Sequence, residues 1–451
     1  MKIHAVGGYN EVGKNMTAIQ LGEGEKSDVL LCDAGLYLPP IVELEEKENN
    51  NSIYNEKSLR MLKAIPDDTY LDKLGLRSKV RSLIVSHAHL DHVGAVPYLA
   101  HRYHAPIIAT QFTNEVLKSL VRDQNSKIPN RMVSLHPNAS FQVKGNKEYK
   151  VELINITHST IQTALVAIHT DEGVVLYAND FKLDNTPVVG QKPNYERIKQ
   201  LAKQGVKALI VESLYAADER KTPSERIARD LLEDVLLTTD NENAGIIVTT
   251  FSSHIARLKS IVDFGRKLNR KVVFLGRSLH KYVSASMKIN MCPFQKDMRM
   301  FTYRNQLNAL FKKINKNRKE YMIVCTGHQG EPGSMLERMS RGETMFQFSP
   351  KDHVIFSSKT IPAEVNIANK AVVVKRLKNK GVRIFDSVHV SGHASREDLR
   401  DFINMIQPEN IIPSHGDITR TSSLADLASE LGYRLGSNCH ILQNQQHVEL
   451  K

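Results

Sequence analysis

The chain has 451 residues, 41% hydrophobic and 24% charged, with a formal net charge of +12 at pH 7. That length exceeds what one hydrophobic core usually serves and predicts two or three domains. The composition argues against a membrane protein, since no stretch approaches the ~20 apolar residues of a spanning helix. It also argues against a disulfide framework or zinc ribbon, because Cys32, Cys292, Cys325 and Cys439 are widely spaced with no C-x-x-C pair.

The first residues, Met1-Lys2-Ile3-His4-Ala5-Val6-Gly7-Gly8, read as a strand and turn rather than a secretory leader, so a cytoplasmic setting with reduced cysteines is expected. Residues 17–21 and 29–32 read as strands, the second ending at Asp33-Ala34-Gly35, and the polar stretch 43–55 reads as a surface loop. The apolar run 80–85 then leads directly into His87-Ala88-His89-Leu90-Asp91-His92. Alternate residues of an extended segment share a face, so His87 and His89 project together and can hold one cation. Val93, Val96, Leu99 and Ala100 follow at helical spacing. Asp91 and His92 then fall on a first helical turn and point in different directions, which suits a second cation beside the first. Chance supplies on the order of 10⁻³ such clusters in a chain of this composition.

Further along, residues 151–156 read as a strand leading to His158, and 163–168 with 174–178 as a hairpin about Asp171-Glu172-Gly173 whose second strand ends at Asp180. A strand over 208–211 ends at Glu212. From 214 to 360 the pattern becomes strand then helix, with strands at 245–251, 272–275, 321–325 and 353–356, as in a parallel α/β domain. The turns that follow, Ser252-Ser253, Gly276-Arg277-Ser278 and Gly327-His328-Gln329-Gly330, place helix N-termini where phosphates bind. Between Arg257 and Lys319, 17 Lys and Arg stand against Asp263 and Asp297, a local +15 that leaves −3 for the rest of the chain. A solvated surface is the ordinary fate of such a run, but beside a hydrolytic metal site polyanion binding is the stronger reading. Past 361 the first pattern returns, with a strand over 383–390 running to Ser391-Gly392-His393 and a capping box of Ser395 and Asp398. A strand over 410–412 leading to His415 and a closing hairpin over 440–450 complete the chain.

Seven residues are thereby available as metal ligands: His87, His89 and His158 for one ion, Asp91, His92 and His415 for another, and Asp180 bridging with its two oxygens. Imidazoles and carboxylates without a thiolate suit zinc or manganese. Two such ions generate a hydroxide and stabilise charge on a phosphoryl centre, so hydrolysis is the expected reaction. His393, ahead of a helix, is placed to contact a phosphate oxygen or protonate the leaving oxygen, and Glu212 to fix its tautomer. Asp33 either orients the His87 loop through hydrogen bonds or merely opens the Ala34-Gly35 turn.

These residues resemble a known family. Gly7-Gly8-Tyr9-Asn10-Glu11-Val12-Gly13-Lys14-Asn15-Met16, with Asp33-Ala34-Gly35, resembles the start of the ribonuclease J family, and the histidine cluster is similar to the metallo-β-lactamase superfamily signature. Thr250-Phe251-Ser252-Ser253, Thr326-Gly327-His328-Gln329-Gly330-Glu331-Pro332, Ile361-Pro362-Ala363-Glu364, His389-Val390-Ser391-Gly392-His393 and Ser414-His415-Gly416 resemble its nucleic-acid-cleaving β-CASP branch.

The resemblance covers nearly the whole chain. It implies an α/β fold, a metallo-β-lactamase αββα sandwich built from 1–213 and 361–451, with a parallel α/β β-CASP domain inserted at 214–360. That domain would cover the metal cleft and leave a basic channel for single-stranded RNA. The resemblance further implies two divalent ions, usually zinc, and processive 5′→3′ exonuclease action on 5′-monophosphorylated RNA, with internal cleavage in several members. The ends produced would be 5′-phosphate and 3′-hydroxyl, and the nucleotide pocket would fall on Ser253, His389 and Ser391 beside His393. Bacterial members carry a further C-terminal domain for which no residues remain here, so the shorter archaeal type is expected; a homodimer stays open, without bacterial-style pairing through that domain.

Two other functions compete. A thioesterase or lactonase of the same superfamily explains the ligands but leaves the charged insertion and His393 without a role. A non-catalytic RNA-binding scaffold would be expected to have lost ligands, and none is missing.

Overall fold

The structure, a computed structural model, describes residues 1–48, 54–124, 127–361 and 364–450. Three sheets account for the strand pattern. The first has seven strands in the spatial order Gln446–Glu449, Lys2–Gly7, Met16–Leu21, Asp28–Cys32, Val80–Val85, Ile107–Thr110 and Met132–Leu135. The second has six, Asn410–Ser414, Val206–Glu212, Gly173–Ala178, Ala164–Thr170, Glu148–Asn155 and Ser140–Lys144.

These two sheets pack face to face. Ile19, Leu30, Ile84 and Ile108 of the first meet Leu153, Val166, Val175 and Ile210 of the second in one buried cluster. The period-two rule sends the neighbours outward: Leu83 and Val85 flank Ile84 and join a different cluster on the other face. Strands apolar on both faces must be covered twice. Helix Gln111–Asp123 covers the first sheet through Phe112 and Val116. Helices Tyr195–Gln204, Arg396–Ile406 and Ile418–Glu430 cover the second through Leu201, Phe402 and Leu427. The result is the expected αββα sandwich.

The third sheet is parallel throughout, in the order Met298–Phe301, Lys271–Leu275, Tyr321–Cys325, Ile246–Thr249, His353–Phe356 and Arg383–Phe385. One apolar cluster runs from Val116 of the sandwich into Ile261 and Phe274 of this unit, so insertion and sandwich share a core. Helix Arg277–Lys288 lies against helix Gln111–Asp123, with the Tyr282 and Phe112 rings 6.4 Å apart.

Four local expectations need correction. The inserted sheet does not stop at 360, because helix Glu364–Asn379 crosses over and returns Arg383–Phe385 as its sixth strand, burying Val373, Leu377 and Val382. That helix also exposes Ile367 and Val372, so its apolar residues show no single stripe in the sequence. Arg383–Phe385 accordingly ends well short of 390, and His393 follows an irregular segment rather than a strand end. The closing hairpin is absent: Gln446–Glu449 pairs with Lys2–Ala5, while Cys439 makes isolated bridges to Ile411 and Leu435. The 43–55 stretch begins inside a helix, Pro39–Glu48, started by prolines that need no amide partner. Residues 49–53 of that stretch, and Pro362-Ala363 of the Ile361–Glu364 motif, lie outside the described residues.

Candidate metal centre

Strand ends create the site. Asp33 follows Asp28–Cys32, His87 follows Val80–Val85, Asp180 follows Gly173–Ala178, Glu212 closes Val206–Glu212 and His415 follows Asn410–Ser414. Three of these residues have left-handed backbone, with φ of 62° at Asp33, 61° at Asp180 and 53° at His415. A non-glycine residue there costs about 1–3 kcal/mol, and the sharp turn it makes points the side chain across the sheet edge. Gly35 is required for a different reason: a Cβ on it would lie 1.7 Å from the Asp91 carbonyl oxygen. The Ala34-Gly35 backbone therefore clamps the turn that carries Asp91 and His92, and Ala34 N–H donates to the His92 carbonyl at 2.8 Å.

Among the described residues three groups of donors result, each with its ligand atoms within 4.8 Å of one another; the third, Asp180, Glu212 and His393, shares the Asp180 carboxylate with the other two and lies at the mouth of the site. The first is His87, His89, His158 and Asp180; the second is Asp91, His92, His415 and Asp180. In the first, His89 Nδ1 stands 3.1 Å from His87 Nε2 and 3.0 Å from His158 Nε2. Asp180 Oδ2 lies 3.4 Å from His87 Nε2 and 3.2 Å from His92 Nε2, so one carboxylate reaches both groups. Its other oxygen, Oδ1, is 3.4 Å from His415 Nε2 and, though buried, accepts no hydrogen bond.

The far side of each ring is tied down. Asp33 Oδ2 holds His92 Nδ1 at 2.7 Å and also accepts from Tyr177 Oη at 2.8 Å and Ser86 Oγ at 2.9 Å. Ser86 Oγ in turn stands 3.0 Å from His87 Nδ1. His158 Nδ1 faces the Gly392 carbonyl at 2.7 Å and His415 Nδ1 the Asn15 amide oxygen at 2.9 Å. Asp33 thus stands behind the ligands and orients both His92 and the His87 loop. Asn15, Ser86 and Tyr177 are additions that sequence reasoning missed; Asn15 lies inside the Gly7–Met16 motif and was the one with a signal to find it.

Electrostatics divide the rings. Burial pushes His87 and His158 down and His89 to about 3, so these imidazoles stay neutral and present lone pairs. At His92 burial acts the same way but is outweighed by the carboxylates of Asp180, Asp91 and Asp33, which raise it well above its ordinary value. Asp180 is held well below the carboxylate range by His415, His92 and His393 against the opposing effect of burial. Lone pairs turned on one another at 3 Å, and a buried carboxylate oxygen with no donor, are what a pair of divalent cations would satisfy. The donor set, imidazole and carboxylate without thiolate, fits zinc or manganese.

His393 stands at the mouth. Its Nδ1 is 2.7 Å from Glu212 Oε2, whose Oε1 accepts from the Phe181 amide at 2.8 Å. Its ring stacks on that of His415 at 5.9 Å with an interplanar angle of 11°. Burial lowers its pKa, but Glu212 and Asp180 outweigh that and lift it to about 9. Gly392 has no room for a side chain, since a Cβ would sit 2.0 Å from Ser159 Oγ.

Three comparisons with known proteins bear on this arrangement. The metallo-beta-lactamase superfamily matches residues 14–225, the ribonuclease J beta-CASP domain matches 243–376, and the Zn-dependent metallo-hydrolase RNA specificity domain matches 382–442. Ribonuclease J of Methanocaldococcus jannaschii is 42% identical over 450 residues, covering 99% of this chain and 98% of that protein. Ribonuclease J of Pyrococcus abyssi is 40% identical over 452 residues, covering 100% of this chain and 97% of that protein. This chain belongs to the ribonuclease J family of the β-CASP metallo-β-lactamases. Among solved structures, a protein of unknown function from Enterococcus faecalis V583 has the same fold, with a TM-score of 0.63 at 17% identity and 99% of both chains covered.

The residues that the ribonuclease J resemblance assigns to a nucleotide pocket lie beside the metal centre in part. Ser253 Oγ is 3.1 Å from His89 Nε2, and Ser391 Oγ accepts from the His393 amide at 3.1 Å. His389 is held through its Nδ1, 3.3 Å from Arg257 Nη1. Arg257 is fully buried and forms a two-point pair with Glu225 at 2.6 and 2.9 Å. A guanidinium only donates, so His389 Nδ1 is the acceptor and its Nε2 carries the hydrogen.

Half of the expected basic surface is spent internally. Arg257, Lys259, Arg266, Lys267, Lys271, Lys281, Lys288 and Arg318 are in ion pairs, and Arg270 donates to backbone carbonyls. Among the described residues no helix is long and apolar enough to cross a membrane.

Proposed function

We propose that this chain is a metal-dependent ribonuclease that hydrolyses single-stranded RNA from 5′-monophosphorylated ends in the 5′→3′ direction, with internal cleavage as its second mode, in the cytoplasm. The observation that carries this reading is the single buried carboxylate of Asp180 shared between two donor groups in a ribonuclease J chain.

His87, His89 and His158 would hold one divalent ion, Asp91, His92 and His415 the other, and Asp180 both. Two ions there, zinc in first place and manganese in second, supply an acidified water and electrophilic stabilisation of the phosphoryl oxygens. The chain's own groups do the rest. Asp33 and Asn15 fix the rings of His92 and His415 in one orientation. Glu212 occupies His393 Nδ1, which leaves Nε2 and its proton for the substrate. The water oxygen bonds to phosphorus as its proton is released to solvent, the P–O3′ bond breaks, and His393 passes its proton to the departing 3′-oxygen, to be reprotonated from solvent afterwards. The products are a 5′-phosphate and a 3′-hydroxyl. Ser253, His389 and Ser391 would seat the nucleotide next to the scissile bond, the His389 Nε2–H facing an acceptor.

The test is a time course on labelled RNAs that differ only in carrying a 5′ hydroxyl, monophosphate or triphosphate, with zinc or manganese supplied. Mononucleotides released fastest from the monophosphate are expected. Absence of cleavage of any RNA with either metal would overturn the reading.

A further inference from the structure

Hydrogen bonds fix His393 at its backbone and at one ring atom. Its amide donates to Ser391 Oγ at 3.1 Å, its carbonyl accepts from Thr222 Oγ1 at 2.7 Å, and its Nδ1 stands 2.7 Å from Glu212 Oε2. A single bond to the ring leaves the ring's tilt open, and the tilt decides where Nε2 points. Tilt is therefore set by what the ring touches. Three rings border it: His415 at 5.9 Å, His158 at 4.9 Å and Tyr215 at 6.0 Å, the last two edge-on. His415 and His158 belong to the donor groups, whereas Tyr215 belongs to none of them.

Tyr215 follows strand Val206–Glu212 by three residues, and an isolated bridge to Ser395 ties its backbone to the segment that carries His393. Its hydroxyl makes no hydrogen bond among the described residues, so the ring is what it contributes. On that ring rests a cation from the inserted unit: Lys359 Nζ is 4.8 Å from the ring centroid. Lys359 lies three residues past strand His353–Phe356, is exposed, and makes no ion pair or side-chain hydrogen bond among the described residues. Asp218 feels its charge but is taken by Arg220, at 2.8 and 2.6 Å. The Lys359 backbone is pinned from within the inserted unit. Gln329, buried past strand Tyr321–Cys325, donates from Nε2 to the Lys359 carbonyl at 3.0 Å and accepts from the Ile361 amide at 2.9 Å. One line of contacts thus runs from Gln329 through Lys359 and Tyr215 to His393, out of the inserted sheet and into the sandwich.

We propose that Tyr215 is a positioning residue for His393, and that Lys359, resting on the Tyr215 ring, makes the aim of the proton donor depend on the seating of the inserted unit. The inference rests on the ribonuclease reading and deepens it by two residues whose effect on the reaction passes through His393. A proton donor must come within ~3 Å of the oxygen it protonates, and misplacement by ~1 Å costs about 10²-fold. The edge of Tyr215 fills the space into which the imidazole would otherwise turn. The ammonium is drawn to the electron-rich face of the phenol ring and so favours one position of that ring.

The experiment is single-turnover cleavage of 5′-monophosphorylated RNA by the metal-loaded full chain, giving the maximal rate and the RNA concentration at half that rate. Tyr215→Leu should lower the maximal rate about 10- to 100-fold with full metal content and an unchanged Tm, and should move the half-saturating RNA concentration by less than about twofold. Tyr215→Phe, which keeps the ring, should stay within about twofold of wild type. Lys359→Met should lower the maximal rate about two- to fivefold, and Lys359→Arg, whose guanidinium also stacks on a ring, should restore it. Once Tyr215→Leu is present, Lys359→Met should change nothing further, and Tyr215→Leu should add nothing to His393→Ala. A wild-type rate in Tyr215→Leu, or a loss explained by its metal content or Tm, would overturn the positioning role. If Lys359→Met acts on the half-saturating RNA concentration, and equally without the Tyr215 ring, Lys359 holds RNA directly and its role through Tyr215 is overturned. Either result leaves the ribonuclease reading standing; a wild-type chain that cleaves no RNA with zinc or manganese would overturn both.

Discussion

The two sheet edges that meet at Ser253 and His89 are built in opposite ways. At the sandwich edge, Asp33, Asp180 and His415 sit on left-handed backbone, and nearly every polar atom behind the ligands has a named partner. At the inserted edge, Arg277, Tyr303 and Arg304 stand in solvent, unpartnered among the described residues. Rigid, strained and fully satisfied support is what positions groups for chemistry to within a fraction of an ångström. The difference teaches that the same topological device, residues placed just past strand ends, yields a buried, fully supported donor cluster in one sheet and exposed, unsupported side chains in the other. What changes is whether a second layer of hydrogen bonds closes behind the residues.

The contrast breaks most visibly at Asp180. Asp180→Ala should strip ligands from both donor groups at once, so metal content by mass spectrometry should fall at both sites and cleavage should drop by more than about 10³-fold. Retention of two ions by that variant would show that the groups are independent. His393→Ala should act differently: full metal content, with kcat down by about 10²- to 10⁴-fold. His415→Ala should instead lower occupancy of one ion. Equal metal loss in both variants would erase the division between a ligand and a proton donor.

Much of this was legible beforehand because it rests on local spacing. His87, His89, Asp91 and His92 lie within six residues, and a strand followed by a helical turn fixes their directions whatever the rest of the chain does. His158, Asp180 and His415 were readable only as residues past strands, and the resemblance added the assurance that they meet. Three things were beyond a linear reading. The left-handed turns at Asp33, Asp180 and His415 fall on residues other than glycine, so no glycine marks them in the sequence. The sixth inserted strand, Arg383–Phe385, is three residues long and is preceded by a helix whose apolar residues face both core and solvent. The +15 block gave a true sum but not its use, since ion pairs such as Lys281 with Asp123 and Lys288 with Glu115 turn part of it into glue between the two units.

A smaller effect should come from the supporting layer of the sandwich edge. Asn15 holds the His415 ring at 2.9 Å and also donates from its side chain to the Asp91 carbonyl at 3.0 Å, spanning two ligands of one group. Asn15→Ala should weaken metal affinity by about 10- to 100-fold, measured by competition with a chelator, while leaving the fold intact. Affinity equal to wild type would mean that ring orientation there is set by packing alone, and that the layer behind the ligands is not what separates this edge from the other.

The smallest expected effect lies where the two units touch. Tyr282 Oη, on an inserted helix, donates to the carbonyl of Ala88, the residue between His87 and His89, at 3.2 Å. The bond links the inserted unit to the ligand loop, but the loop is also fixed from behind by Ser86 and Asp33. Tyr282→Phe keeps the ring that packs near Phe112 and removes only the hydroxyl, so it should cost about 1 kcal/mol, a shift in Tm of about 2 °C or less. Cleavage should change by less than about threefold, because the ligands keep their own supports. A tenfold or larger loss, with Tm nearly unmoved, would show that the inserted unit sets the ligand geometry through this one hydrogen bond, and the two edges would then have to be regarded as a single mechanical element.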